Sequence, residues 1–206
     1  MRDGAVFVEG GFAILSGANG DDRYAISIEL PKDYPNSQPD VWEVAGRIPR
    51  IIDRHVFPAS GALCLGVPLD LWMRLDGDFS IGTYLEKAVR PYLIGNSIVE
   101  EGGEWPFDES AHGSKGVLQF FERSMGASDP VMVGRFLLAV LDGRVRGHWD
   151  CPCSSGRPVR ACHAESLAAL RRAPPIMLMH AIEHMARLIP DPAPPTSGQQ
   201  RLAPRG

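Results

Sequence analysis

Cysteine and histidine carry most of the reactive chemistry available to this 206-residue chain. The stretch "CPCSSGRPVRACH" sets Cys151, Cys153, Cys162 and His163 in a C-x-C-x8-C-H pattern. Three thiolates and one imidazole suit a tetrahedral zinc ion, because soft sulfur and borderline nitrogen donors match its preferences. A tight pair would hold one side of the ion. The turn "SSGRP" then reverses the chain so that the second pair closes the site. Four protein ligands leave no position open for a substrate, so the expected cofactor is structural Zn2+ rather than catalytic metal. His148 competes with His163 as the fourth ligand, and a redox or chance cluster is the competing reading. His180 and His184 stand at i, i+4, but two ligands are too few, and a solvated helix face explains them. The fourth cysteine, Cys64, stands alone in "GALCLGVPLDLW". By residue type it reads either as a small buried hydrophobe or as a free nucleophile.

Around these residues the pattern predicts strands first and helices later, which argues an α+β fold. "GAVFVEGGFAIL" and "RYAISIEL" read as an antiparallel pair joined by the turn "SGANGDD". In the second, Tyr24, Ile26, Ile28 and Leu30 alternate with Ala25, Ser27 and Glu29, so one face is expected to be buried. "DVWEV" reads as a third strand after the proline-broken "LPKDYPNSQP", and "LGVPLDLW" reads as a loop. Ile81, Tyr84, Leu85, Ala88, Val89, Tyr92 and Leu93 predict a helix over 80–94, capped by Asp78 or Ser80 and kinked or ended at Pro91. Further helices are expected over 113–125, from Asp129 and Pro130 through "VMVGRFLLAVL", and across "PPIMLMHAIEHMARLI". The expected division is a domain over 1–127, a helical region with the zinc module over 128–189, and a disordered tail over 190–206.

Two stretches resemble known families. "CPCSSGRPVRACH" resembles the SEC-C motif, a small metal-binding module appended to many bacterial proteins, with Ser154 where that family usually has glycine. The resemblance implies docking on protein. Over about residues 5–95 the chain resembles a ubiquitin-conjugating enzyme. The carriers are Pro31, Tyr34, Pro35 and Pro39 in the proline-rich turn, then Gly61-x-x-Cys64-Leu65, then Trp72 eight residues on, then the amphipathic helix. "HVFPASG" aligns His55 with the family's histidine and has no counterpart of its asparagine. Trp105, Glu109, His112 and Gly113 in "EWPFDESAHGSKG" resemble a patch that follows the core in prokaryotic members of the family.

What the resemblance implies is an antiparallel sheet packed on helices and a thioester on Cys64. The acyl group would come from an activating enzyme, be the C-terminus of a ubiquitin-like modifier, and pass to an amine on a protein target. It also implies a bacterial setting beside such partners, including antiphage systems. A thiol suits both steps, being strongly nucleophilic and a good leaving group. His55 is then a candidate to orient the Cys64 loop or donate to the oxyanion. His112 is a candidate base for the incoming amine or for Cys64, with Glu109 orienting it. Trp72 is expected to pack in the core beside the cysteine. The competing functions are a non-catalytic adaptor of the same fold and a cysteine hydrolase using Cys64, His112 and Glu109. A net charge of −4 gives no electrostatic reason to expect nucleic acid. The lack of a long apolar run, or of a signal-peptide core near the start, leads to the expectation of a cytoplasmic protein with reduced cysteines and no membrane partner.

Overall fold

The computed structural model describes residues 5–17, 20–107 and 111–190. Three strands, β1 (Val6–Gly17), β2 (Gly20–Leu30) and β3 (Asp40–Glu43), form an antiparallel sheet in the order β1-β2-β3. Seven α-helical segments follow among the described residues: α1 (Pro68–Leu75), α2 (Ile81–Tyr84), α3 (Arg90–Glu100), α4 (Ser114–Met125), α5 (Pro130–Leu141), α6 (Ala164–Arg172) and α7 (Pro175–Leu188). The fold is therefore α+β. The alternation in β2 holds in its middle, where Tyr24, Ile26 and Ile28 are buried, while Leu30 is half-buried and Ser27 of the other face is buried as well. Ser27, on the opposite side of the strand, donates to Glu9 at 3.1 Å. The tip of "SGANGDD", residues 18–19, and the tail from 191 lie outside the described residues.

Two apolar clusters make the core. Tyr24, Ile28 and Val41 of the sheet pack with Tyr84, Val89 and Leu93. Phe121, Leu137, Leu170 and Met185 centre the second, helical cluster. α4 lies within the first expected segment (1–127), yet its Val117, Phe120, Phe121 and Met125 belong to the helical cluster. α1 joins the two, with Leu69 in the helical cluster and Leu71 and Leu75 in the sheet cluster. This corrects the expectation of a loop over "LGVPLDLW". Pro68 sits at the first position of α1, where its missing N–H costs nothing.

The helix expected over 80–94 runs on to Glu100 in three consecutive pieces, with a π-helical turn over Leu85–Val89 between α2 and α3. Pro91 accounts for the turn. It has no N–H to give the Lys87 carbonyl, and its ring would collide with that carbonyl in a regular helix. Arg74 at the end of α1 takes up the freed group, donating from Nη1 to the Lys87 carbonyl at 3.3 Å, while Lys87 Nζ donates to the Arg74 carbonyl at 2.7 Å. Ser80 caps the start by accepting from the Thr83 N–H. The proline-rich turn is tied to the same helix and to the segment that leads into it. Tyr34 donates to the Phe79 carbonyl at 2.8 Å, and Tyr84 donates to the Pro39 carbonyl at 3.3 Å.

Asp129 caps α5 as expected, accepting from Val131 N–H at 2.9 Å. No single helix among the described residues is long and apolar enough to cross a membrane.

Candidate active site and metal centre

Cys64 lies on a narrow backbone loop tied to the edge of the sheet. Val56 and Leu63 form an antiparallel bridge, and Leu63 N–H donates to the Val41 carbonyl of β3 at 2.7 Å. Between them the chain turns back on itself, with Gly61 N–H donating to the Phe57 carbonyl at 2.7 Å. Gly61 has φ +73°, a left-handed conformation that favours glycine, and the Arg50 guanidinium lies over it. Trp42 braces the turn by donating from Nε1 to the Ser60 carbonyl. The next rung puts His55 opposite Cys64: the Cys64 N–H donates to the His55 carbonyl at 2.7 Å.

His55 itself holds a left-handed conformation, φ 52° and ψ 44°, at the end of a 3-10 turn over Ile52–Arg54. A non-glycine residue pays for that conformation, so the surroundings must hold it. Its ring lies 4.4 Å from the Trp105 ring and 5.1 Å from the His112 ring, centroid to centroid. Trp105 in turn lies over Gly95 of α3, where a Cβ would fall 2.8 Å from the indole. His112 is held from its other side by α4. Ala111 N–H donates to Gln119 Oε1 at 2.8 Å, and the Ala111 carbonyl comes so close to Gly116 that no side chain fits there. His55 links two other sequence candidates, its carbonyl to the Cys64 N–H and its ring to the His112 ring, although α1, α2 and α3 lie between Cys64 and His112 in the chain. Glu109 lies outside the described residues. Trp72 is half-buried in α1, packs on the helical cluster and stacks on Phe79 at 5.5 Å.

The thiol of Cys64 is half-buried. Burial pushes its pKa above the usual thiol range, against a smaller downward pull from the Gly66 backbone N–H. At neutral pH it is therefore a thiol rather than a thiolate. With iodoacetamide its alkylation is expected to be slow at pH 7. The rate should climb about tenfold per pH unit until past pH 9, because only the thiolate reacts. Mass spectrometry of the Cys64 peptide against pH reads this directly, and a rate already on its plateau at pH 7 would contradict it.

Arg54 and Asn96 escape the sequence reading, which uses Tyr92 only as part of an apolar helix face. Arg54, Tyr92 and Asn96 link α3 to the 3-10 turn. The available signal was a polar amide at position 96 on the buried, periodic face of a helix.

In the second cluster Cys151, Cys153, Cys162 and His163 bring one ligand atom each to within 4.8 Å of all the others, with no disulfide among them. Cys151 Sγ lies 3.1 Å and Cys162 Sγ 3.3 Å from His163 Nδ1, and the Cys153 and Cys162 sulfurs are 3.5 Å apart. Donors at zinc–ligand bond lengths on a tetrahedron stand about 3.5–3.8 Å apart, and the separations here, from 3.1 Å to no more than 4.8 Å, bracket that range, so the set could hold a single four-coordinate ion. Cys151 is buried against the helical core. The hairpin that carries the ligands is pinned by the Asp150–Pro158 bridge and by Cys151 N–H donating to the Arg157 carbonyl at 3.0 Å. Burial raises the Cys151 thiol to about 12. Burial also acts upward on Cys153, but hydrogen bonds from Ser155 and the neighbouring thiols outweigh it and bring that group down to about 6. Arg157 adds positive charge, donating from Nη2 to Cys162 Sγ at 3.3 Å. His163, not His148, completes the set.

Ser154 holds a left-handed φ of 59° between two of the ligands. Relief of that conformation predicts that Ser154→Gly stabilises the module by up to about 1 kcal/mol, since the cost to an L-residue there exceeds glycine's extra entropy. A higher melting temperature with unchanged metal content is the expected result; a lower one would show that the Ser154 side chain contributes more than its backbone strain costs.

No family model, curated protein or solved structure matches the chain.

Proposed function

We propose that this chain is an acyl carrier of the ubiquitin-conjugating type, with Cys64 as its nucleophile and a zinc-bearing module for docking on protein. The observation that carries the reading is the meeting of His55 and His112, ring centroids 5.1 Å apart, beside the Cys64 rung. The spacing Gly61-x-x-Cys64-Leu65 with Trp72, and the proline-rich turn lashed to the helix, add to it.

In the first step the Cys64 sulfur attacks the carbonyl carbon of an activated thioester. A new S–C bond forms, the old one breaks, and the donor thiolate leaves. The substrate is already activated, so a thiol of raised pKa suffices. In the second step an amine nitrogen attacks the same carbonyl. The S–C bond to Cys64 breaks, an amide forms, and the amine's proton needs an acceptor. His112 is exposed, as access for an incoming amine requires, and is our choice of base; His55, fixed on the cysteine's own loop, is placed to hold that loop or to donate to the oxyanion. Zinc, when bound, neutralises the thiolates of the second cluster and closes its hairpin; Cys151, Cys153, Cys162 and His163 would hold it. The partners on this reading are an activating enzyme, a ubiquitin-like modifier and a protein target in a bacterial setting.

The adaptor reading is less favoured, because a binding module has no use for a nucleophile with two imidazoles beside its loop. The hydrolase reading meets a thiol of raised pKa where hydrolysis of unactivated bonds calls for a thiolate.

The test is covalent loading. The protein is mixed with the activating enzyme and modifier encoded beside it plus ATP, and separately with small-thiol thioesters of ubiquitin-like proteins. A mass gain equal to the modifier less its leaving group, reversed by reductant, is expected. Absence of any such adduct in both arms would overturn the proposal.

A further inference from the structure

Asn96 is completely buried in the middle of α3. An amide in an apolar core is costly unless its hydrogen bonds are made, and here each of its groups is used for one purpose. Its Oδ1 accepts from Arg54 Nε at 2.7 Å, its main-chain carbonyl accepts from Arg54 Nη2 at 3.0 Å, and its Nδ2 donates back to the Tyr92 carbonyl at 3.3 Å. Tyr92, one helical turn earlier, donates from its hydroxyl to the Arg54 carbonyl at 2.8 Å. Burial keeps that phenol protonated and hence a donor. Two residues of one helix therefore grip both the side chain and the main chain of Arg54. The next residue is His55, in its strained left-handed conformation, and its carbonyl carries the Cys64 N–H.

We infer that Asn96 and Tyr92 are positioning residues that hold His55 and the Cys64 loop through Arg54. The inference rests on the reading of Cys64 as the acyl-bearing nucleophile, and it gives that reading a rigid support drawn from a helix rather than from the loop itself. Such a clamp matters because a displacement of about 1 Å at a reacting group costs on the order of 10²-fold in rate. It also explains why a left-handed histidine persists. Three hydrogen bonds to the preceding residue leave His55 little choice of backbone conformation.

The experiment uses Asn96→Leu, close in volume and unable to hydrogen-bond, with Asn96→Asp, which restores an acceptor for the guanidinium. Ser97→Ala is the control: it sits next along α3 and bonds Asp22 instead. Two readouts are taken. One is the rate at which the isolated, acyl-loaded protein passes its acyl group to free lysine. The other is the proton NMR shift of the His55 ring, displaced by the Trp105 ring current at 4.4 Å. Asn96→Leu should slow discharge about 10²-fold and move the His55 resonance toward its unshifted position. Asn96→Asp should recover both, and Ser97→Ala should lower the melting temperature with neither readout changed. Discharge by Asn96→Leu at the wild-type rate overturns the positioning role, as does an equal loss in Ser97→Ala. If the wild-type chain does not load, the Cys64 reading fails. The NMR arm still decides the clamp, because an unmoved His55 resonance in Asn96→Leu overturns it.

Discussion

Replacing Cys64 by alanine is expected to abolish acyl loading while leaving the fold intact. On the proposed function the sulfur is the atom that forms and later breaks the bond to the acyl carbon, a role the methyl group of alanine cannot take. Its removal costs little structure. Cys64 is only half-buried, and the main-chain bonds of the loop, Cys64 N–H to the His55 carbonyl among them, remain. Serine at the same place makes the argument sharper. A hydroxyl is a poorer nucleophile and a poorer leaving group, so Cys64→Ser should load slowly and then hold an ester that reductant does not release. Intact-mass measurement of the three proteins after the same incubation separates these outcomes. A reductant-sensitive adduct persisting in Cys64→Ala would move the nucleophile elsewhere in the chain.

If the Cys151–His163 cluster holds zinc, as proposed, removal of that metal is expected to be the most destabilising single change. The cluster is built into the helical core. Cys151 is 2% exposed and the next turn carries Val159, which is fully buried, so the hairpin and core close together. Structural zinc supplies about 10–16 kcal/mol of apparent binding energy in small modules. A loss of even several kcal/mol lowers the melting temperature of a chain this size by about 10 °C or more. Cys151→Ser, or a strong chelator acting on the wild type, should therefore release zinc and produce that fall. The ligands bind deprotonated, so the same release should come on lowering the pH, with affinity falling as protons compete. Metal content by mass spectrometry and melting followed by circular dichroism check both. A purified protein with no metal and unchanged melting in Cys151→Ser would contradict the assignment.

How far the sequence carried depends on how local each signal was. The period of two in β2, the caps at Ser80 and Asp129, and the spacing of the four ligands are all set by residues near one another in the chain. These were legible and the structure agrees with them. The loop expected over "LGVPLDLW" is instead the start of α1, with Pro68 at the first helical position, where proline starts a helix rather than breaking it. Pro91 predicts a kink or a stop, whereas the helix absorbs it by widening by one residue. The meeting of His55 with His112 and Trp105 needs α4 and α3 to be placed in space, and no pattern along the chain encodes that. The Arg54–Asn96 clamp was invisible for the same reason. A buried asparagine in a helix looks like a polar interruption until its partner from another element is known.

The central claim is that Cys64, and not a cysteine of the metal cluster, carries the acyl group. The most direct measurement is peptide mapping of the isolated, loaded protein under acidic, non-reducing conditions. The account predicts the modifier's C-terminal glycine on the peptide containing Cys64, with Cys151, Cys153 and Cys162 unmodified. An adduct on any of those three, with Cys64 free, would contradict it.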